Sequence, residues 1–142
     1  MIYIRPLKAS DFDAFVPIEP LATGRDPEFA KVIEDSGLAV TGIRDGVVVG
    51  CGGVHPTDNE DIGELWLRLS KDCLKHKIDT LRWLIEGLKI IEETYPFKQL
   101  NATIQCCFDK SIKLVEYLGF KRAQEQTLEG KKWAIYSKRV QE

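Results

Sequence analysis

Three groups of side chains in this sequence have types and spacings that can do chemistry: one carboxylate, a cluster of cations and a pair of adjacent thiols. Glu64 opens the run Glu64-Leu65-Trp66-Leu67-Arg68-Leu69, in which Glu64, Trp66 and Arg68 alternate with three leucines. On a strand, that period of two places Glu64 on the face of Trp66. A carboxyl group beside an apolar aromatic has its pKa raised, which suits a general base acting directly or through a water. The same spacing equally makes a Glu64–Arg68 surface pair. Lys71, Lys75, His76 and Lys77 follow at once, and such local cations either meet an anionic group such as a phosphate or form the solvated face of a loop. Cys106 and Cys107 are adjacent. A thiol there can donate a proton or react with an acyl group, although free cysteine is more often a small buried hydrophobe.

Other candidates carry less. His55 and His76 are the two histidines. Neither stands in metal-ligand spacing or a Ser-His-Asp pattern, so no metal is expected. His55 beside Pro56 reads as a turn residue or as the border of an acceptor site. Trp66, Trp83 and Trp133 read by default as packing residues. The formal net charge of −2, from 20 Lys+Arg against 22 Asp+Glu, gives no global field to recruit nucleic acid or an anionic membrane. No apolar run is long enough for a signal peptide or membrane span, which predicts a cytoplasmic protein. Cys51, Cys73, Cys106 and Cys107 lack paired C-x-x-C spacing and are expected to be reduced thiols.

The elements that must position these groups alternate between short strands and helices. At 142 residues, with 44% hydrophobic and 30% charged residues, the chain is expected to form one domain over residues 1–142. Tyr3–Pro6 reads as a strand, and Ser10 as the N-cap of a helix over Asp11–Val16. Asp26-Pro27 starts a second helix that runs to Ser36 and stops at Gly37. Leu38–Arg44 and Val47–Val54 form a hairpin through Asp45-Gly46, a dipeptide suited to turns with positive φ. Glu64–Leu69 is a strand. Leu81, Leu84, Ile85, Leu88 and Ile91 recur at helical spacing, predicting a helix from Asp79 or Thr80 to Tyr95, with Asp79 as N-cap and Pro96 as stop. Leu100–Ile104 reads as a strand and Asp109–Leu118 as a helix closed by Gly119. Lys121–Glu125 and Lys132–Lys138 read as strands joined through Glu129-Gly130. The expected fold class is α/β, a mixed sheet of about six to seven strands flanked by about four helices.

This order of elements resembles the GNAT (GCN5-related N-acetyltransferase) fold over essentially the whole chain. Ile4-Arg5-Pro6 followed by Ser10-Asp11 resembles the family's opening, and Asp45-Gly46-Val47-Val48-Val49-Gly50 its second hairpin. The most specific fragment is Asp109-Lys110-Ser111-Ile112-Lys113-Leu114-Val115-Glu116-Tyr117-Leu118-Gly119-Phe120, which resembles the family's fourth helix running into a Leu-Gly-Phe strand entry. Together with Glu64-Leu65-Trp66-Leu67, it looks particularly like divergent GNAT-like proteins of phages and prophages.

The resemblance implies acetyl transfer from acetyl-CoA to an amine, small-molecule or protein. Separately, exposed strand edges could pair two copies into a homodimer. The resemblance implies that main-chain groups around Trp66, Leu67 and Leu69 line the cofactor, with a thioester oxyanion donor near Leu67. It also places Cys106 and Cys107 near where the cofactor thiol would lie. Two family features are absent. The family's glycine-rich pyrophosphate loop corresponds here to Ser70–Ile78, and no glycine occurs between Gly63 and Gly87. Positive φ and close backbone approach to a phosphate therefore become costly. What remains are helix N-terminal amides near Thr80 and the charges of Lys75 and Lys77. The tyrosine acid of many family members is replaced by Val115, and Tyr117, about 200° further round the helix, faces elsewhere. Two functions follow: an N-acyltransferase with an altered cofactor loop, or a GNAT-fold structural or interaction protein without catalysis.

Overall fold

The computed structural model describes residues 2–15, 27–36, 38–106 and 109–140. It is a mixed α/β structure, with three α-helices among the described residues and one seven-stranded sheet in the order β1-β2-β3-β4-β5-β7-β6. The strands are β1 (Tyr3–Pro6), β2 (Ala39–Arg44), β3 (Val47–Pro56), β4 (Ile62–Leu69), β5 (Gln99–Gln105), β6 (Lys121–Leu128) and β7 (Lys131–Arg139). The helices are α1 (Pro27–Ser36), α2 (Lys77–Thr94) and α3 (Asp109–Tyr117). The chain gathers into two compact units, Met1–Val54 with Trp66–Leu88, and His55–Leu65 with Lys89–Glu142.

In the first unit β1 runs antiparallel to β2, Tyr3 opposite Ile43 and Pro6 opposite Val40. The β2–β3 hairpin turns as its dipeptide predicts, with Asp45 at φ 50° and Gly46 at φ 80°, the left-handed pair of a two-residue hairpin loop. Leu7, Phe12, Phe15, Ile33, Ala39 and Cys51 form a buried cluster, with Val48 and Trp66 packed against it. β2 slips register between Gly42 and Ile43, and the indole of Trp83 fills the space there: a Cβ built on Gly42 would lie 2.6 Å from its ring.

The expected helix Asp11–Val16 is instead a 3-10 helix over Ala9–Asp13, with Lys8 rather than Ser10 at its cap position. Val16 lies outside the described residues. The physical reason is Asp11, which is 3% exposed. Its carboxylate accepts from Arg5 twice (2.8 and 2.7 Å), from the Thr41 hydroxyl (2.6 Å) and from the Lys8 amide (2.8 Å). A side chain drawn inward by four donors leaves only a tight turn around it. α1 has the expected extent, while Asp26 and Gly37, its expected cap and stop, lie outside the described residues.

In the second unit β5 runs antiparallel to β7, and β7 to β6. The turn between the last two, Glu129 at φ 52° and Gly130 at φ 78°, repeats the hairpin geometry, and β6 extends three residues beyond its expected end at Glu125. Leu100, Ala102 and Ile104 of β5 and Ala134 and Tyr136 of β7 are buried. Lys138, on that same face of β7, bonds Glu92 of α2 (2.6 Å). Gly119 closes α3 at φ 99°, as a left-handed C-terminal residue does. No helix among the described residues is long and apolar enough to cross a membrane.

Candidate functional site

The second unit builds a polar face around Glu64. Ile62, Gly63 and Glu64 pair in parallel with Gln99, Leu100 and Asn101, and this ladder ends at the Glu64–Asn101 pair. Successive β5 side chains alternate between faces. With Leu100, Ala102 and Ile104 committed to the buried face, Gln99, Asn101 and Thr103 project together from the opposite one. Thr103 bonds the Glu64 carboxylate from its hydroxyl (2.9 Å to Oε1) and from its main-chain N–H. That amide belongs to the stretch of β5 just past the end of the parallel ladder, so Glu64 supplies an acceptor where the neighbouring strand no longer does. Burial pushes the Glu64 carboxyl above its ordinary range, outweighing the two Thr103 donors that pull it down. Such a group is half-buried, oriented and more basic than a surface carboxylate.

Beside it stands a closed triad. Gln99 Nε2 donates to Asn101 Oδ1 (2.8 Å) and to Ser137 Oγ (3.3 Å), and the Ser137 hydroxyl donates to Asn101 Oδ1 (2.7 Å). Ser137 is the β7 partner of Asn101. Sequence reasoning passed over Thr103, Asn101, Gln99 and Ser137. The signal was present in Gln99-Leu100-Asn101-Ala102-Thr103-Ile104, whose strict alternation of polar and apolar residues marks a strand with a wet face.

Cys106 lies at the end of β5, half-exposed, with Arg122 Nη2 3.4 Å from its sulfur. Its partner is thus an arginine, whereas that of Glu64 is Thr103. Cys107 lies outside the described residues. Cys51 and Cys73 are buried.

In the first unit, the remaining predicted residues fall on β4 and at the start of α2. Trp66 stacks on Phe12, ring centroids 5.6 Å apart, and Leu67 and Leu69 are half-buried beside β3. The Leu67 carbonyl accepts from Arg68 Nη1 (2.9 Å). The segment in place of a glycine loop is a 3-10 helix, Lys71–Lys75. Three amides in and after it are spent internally: Asp72 N–H on Ser70 Oγ (2.9 Å), Cys73 N–H on Ser70 O (3.0 Å) and His76 N–H on Cys73 O (3.2 Å). α2 therefore begins at Lys77, ahead of the expected Asp79 or Thr80. Asp79 is not its cap but a first-turn residue, ion-paired with Arg44 (3.1 Å). Thr80 is buried, its hydroxyl on His76 O (2.9 Å).

A diphosphate would meet an open helix end here. The first α2 amide with a helical acceptor is that of Thr80, bonded to His76 O. The earlier amides of Lys77 and Ile78 belong to the open end of the helix, and Lys71, Lys75 and Lys77 are exposed around it. The fit is that of a lysine-ringed helix terminus, not of a main-chain cradle. Among the described residues no cluster of His, Cys, Asp and Glu is arranged to hold a metal ion.

No protein-family model and no curated protein matches the sequence. Solved structures do. A GNAT-family acetyltransferase from Bacillus anthracis superposes with a TM-score of 0.73 at 17% identity, over 98% of this chain and 95% of that one. A ribosomal-protein-alanine N-acetyltransferase from Brucella melitensis gives 0.70 at 18% identity, over 96% and 99%. The yncA structure from Salmonella typhimurium, which holds its cofactor acetyl-CoA, gives 0.67 at 15% identity, over 100% and 95%. At such identities the likeness is one of architecture, and the chain has the fold of the GNAT acetyltransferases.

Proposed function

We propose that the protein is an acyl-CoA-dependent N-acyltransferase of the GNAT family, transferring an acetyl group from acetyl-CoA to an amine, with Glu64 as the base. The observation that carries this reading is the Glu64 carboxyl itself, raised by burial and held by the Thr103 hydroxyl at 2.9 Å, in a chain with the acetyltransferase fold. Its task is to take a proton from the incoming ammonium, which becomes a nucleophile only when neutral. Thr103 holds the carboxylate so that little reorientation is needed when the proton moves. Lys75, Lys77 and the first α2 amides would hold the diphosphate, with the main chain of Trp66–Leu69 toward the acyl arm. Thr80 would contribute by tying the turn to α2. Acetyl-CoA, when bound, supplies the acyl group as an activated thioester.

A second reading, a GNAT-fold interaction protein of phage or prophage origin without turnover, is favoured by the glycine-free 3-10 turn in place of the phosphate loop. Calorimetric titration with acetyl-CoA and with CoA separates the two. Saturable binding, followed by acetylation of an amine panel that fails in Glu64→Gln, supports the enzyme. Absence of heat at millimolar ligand, together with an unchanged melting temperature, moves the assignment to the interaction protein.

A further inference from the structure

The triad beside Glu64 fixes the orientation of an amide. Asn101 Oδ1 receives both Gln99 Nε2 and the Ser137 hydroxyl, so its two acceptor positions are filled and the Nδ2 hydrogens point away from the clamp. Nδ2 has no partner among the described residues. It is not among the fully buried side-chain polar atoms that lack a hydrogen bond. The unpaired Nδ2 therefore reaches solvent, and the Glu64 side chain beside it is half-buried. Glu64 and Asn101 are paired across the parallel ladder, about 4.8 Å apart between strands, and share the face defined by Thr103. One face of the sheet thus presents a fixed acceptor and a fixed donor side by side.

We propose that Asn101 is a specificity-determining donor that selects acceptor amines carrying a carbonyl one carbon from the nitrogen. The inference rests on the reading of Glu64 as the residue that meets the amine. A ligand spanning the two groups offers its ammonium N–H to Glu64 and an acceptor oxygen to Asn101 Nδ2, a few bonds apart, as an α-amino carbonyl group does. A free α-carboxylate would set a second negative charge near Glu64, which disfavours it. The chemistry selected is that of an α-amino amide, supplied by a small amino amide or by the amino terminus of a peptide.

The test is a titration followed through the ¹⁵N side-chain resonances of Asn101, which needs no turnover. The probes are glycinamide, glycylglycinamide, glycine and ethylamine. Glycinamide should shift the Asn101 Nδ2 resonances saturably, with ethylamine and glycine each about threefold to tenfold weaker, the share of one net hydrogen bond. Glycylglycinamide binding more tightly than glycinamide marks a peptide terminus as the source, and equal binding a small amide. Asn101→Asp keeps an acceptor for Gln99 and Ser137 but removes the donor, and should erase the preference of glycinamide over ethylamine. Asn101→Ala, which has neither donor nor charge, checks that conclusion. Equal affinity for ethylamine and glycinamide, or unmoved Asn101 resonances, overturns the proposal. Should Glu64→Gln weaken neither amine, the Glu64 reading itself falls. If it weakens both while the Asn101 variants leave their ratio unchanged, only the Asn101 role falls.

Discussion

Replacing Asp11 by Asn changes one atom in a buried carboxylate and should be felt through the whole first unit. Four donors converge on Asp11, from Arg5 Nη1 and Nη2, Thr41 Oγ1 and Lys8 N. Asn offers one acceptor oxygen with two lone pairs, and its amide presents hydrogens to donors. At least two donors therefore lose their acceptor. Thr41 is 0% exposed and cannot turn to water, whereas Arg5, whose side chain is 30% exposed, can in part. An unsatisfied buried group costs about 1–3 kcal/mol, so the loss, discounted for Arg5, is about 2–4 kcal/mol. For 142 residues the entropy of unfolding is about 0.3 kcal/mol/K, and the melting temperature should fall by about 7–13 °C at pH 7.

The pH dependence gives the sharper check. Burial raises the Asp11 carboxyl, but the donors from Arg5, Thr41 and Lys8 outweigh it and hold it below its ordinary value of 3.8. A carboxyl group with a depressed folded pKa contributes stability that is complete above the unfolded value and lost as pH falls through the folded one. The gap between wild type and Asp11→Asn should therefore be constant from pH 5 to 8 and close below pH 4. Thermal melts by circular dichroism across that range decide it. A variant melting within 2 °C of wild type at pH 7, or a gap that persists unchanged into acid, refutes the reasoning.

Other outcomes follow from the same geometry. The folded Glu64 carboxyl lies above its ordinary value of 4.5, so the stability tied to its protonated form is present below that value and lost as pH rises. Glu64→Gln, fixed neutral, should gain on wild type in melts as pH climbs from 4 to 8 while acetylation falls about 10²–10⁴-fold; a pH-independent gap contradicts this. Gly42→Ala drives a methyl group into the Trp83 ring and should cost about 1–3 kcal/mol. The added Trp83→Phe change should restore part of that loss in denaturant titrations, and no restoration would locate the strain elsewhere. Burial pushes the Cys51 thiol up to about 12 and also raises Cys73. In a Cys107→Ser background, Cys106 alone should react with a disulfide reagent at pH 8, the buried pair reacting only in denaturant.

The strands and hairpins were legible in the sequence because their signals are local. Asp45-Gly46 and Glu129-Gly130 name their own turns, Gly119 its helix end, and the alternation in β4 its strand. Asp11 misled because a capping residue and a buried hub are the same residue type, and only the convergence of Arg5 and Thr41, 6 and 30 residues away in sequence, tells them apart. Asp79 misled for the same reason, its carboxylate drawn to Arg44. The candidate site was half legible. Glu64 was singled out from its neighbours on the strand, but its partner Thr103 is 39 residues distant, and nothing local assigns it. The polar face of β5 was readable by period and went unread because no residue on it is ionisable.

The turn before α2 carries the last consequence. A glycine loop binds a diphosphate through amides in fixed geometry, a contact that salt screens poorly. Here the amides of Asp72, Cys73 and His76 are already bonded within the turn, so charge must do more of the binding, and Lys71, Lys75 and Lys77 are exposed. Exposed ion pairs contribute about 0.2–1 kcal/mol each and fade as the Debye length shrinks from about 10 Å at 0.1 M salt to about 3 Å at 1 M. If Lys75 and Lys77 hold the diphosphate, raising sodium chloride from 0.1 to 1 M should weaken acetyl-CoA binding by about 2- to 30-fold. Lys75→Met/Lys77→Met should show the weak affinity already at low salt and little further change. Dephospho-CoA, which keeps the diphosphate but lacks the ribose phosphate, should retain most of the salt dependence. A salt-independent affinity, or a double variant that still weakens as the wild type does, would mean that the turn rearranges to offer its amides after all.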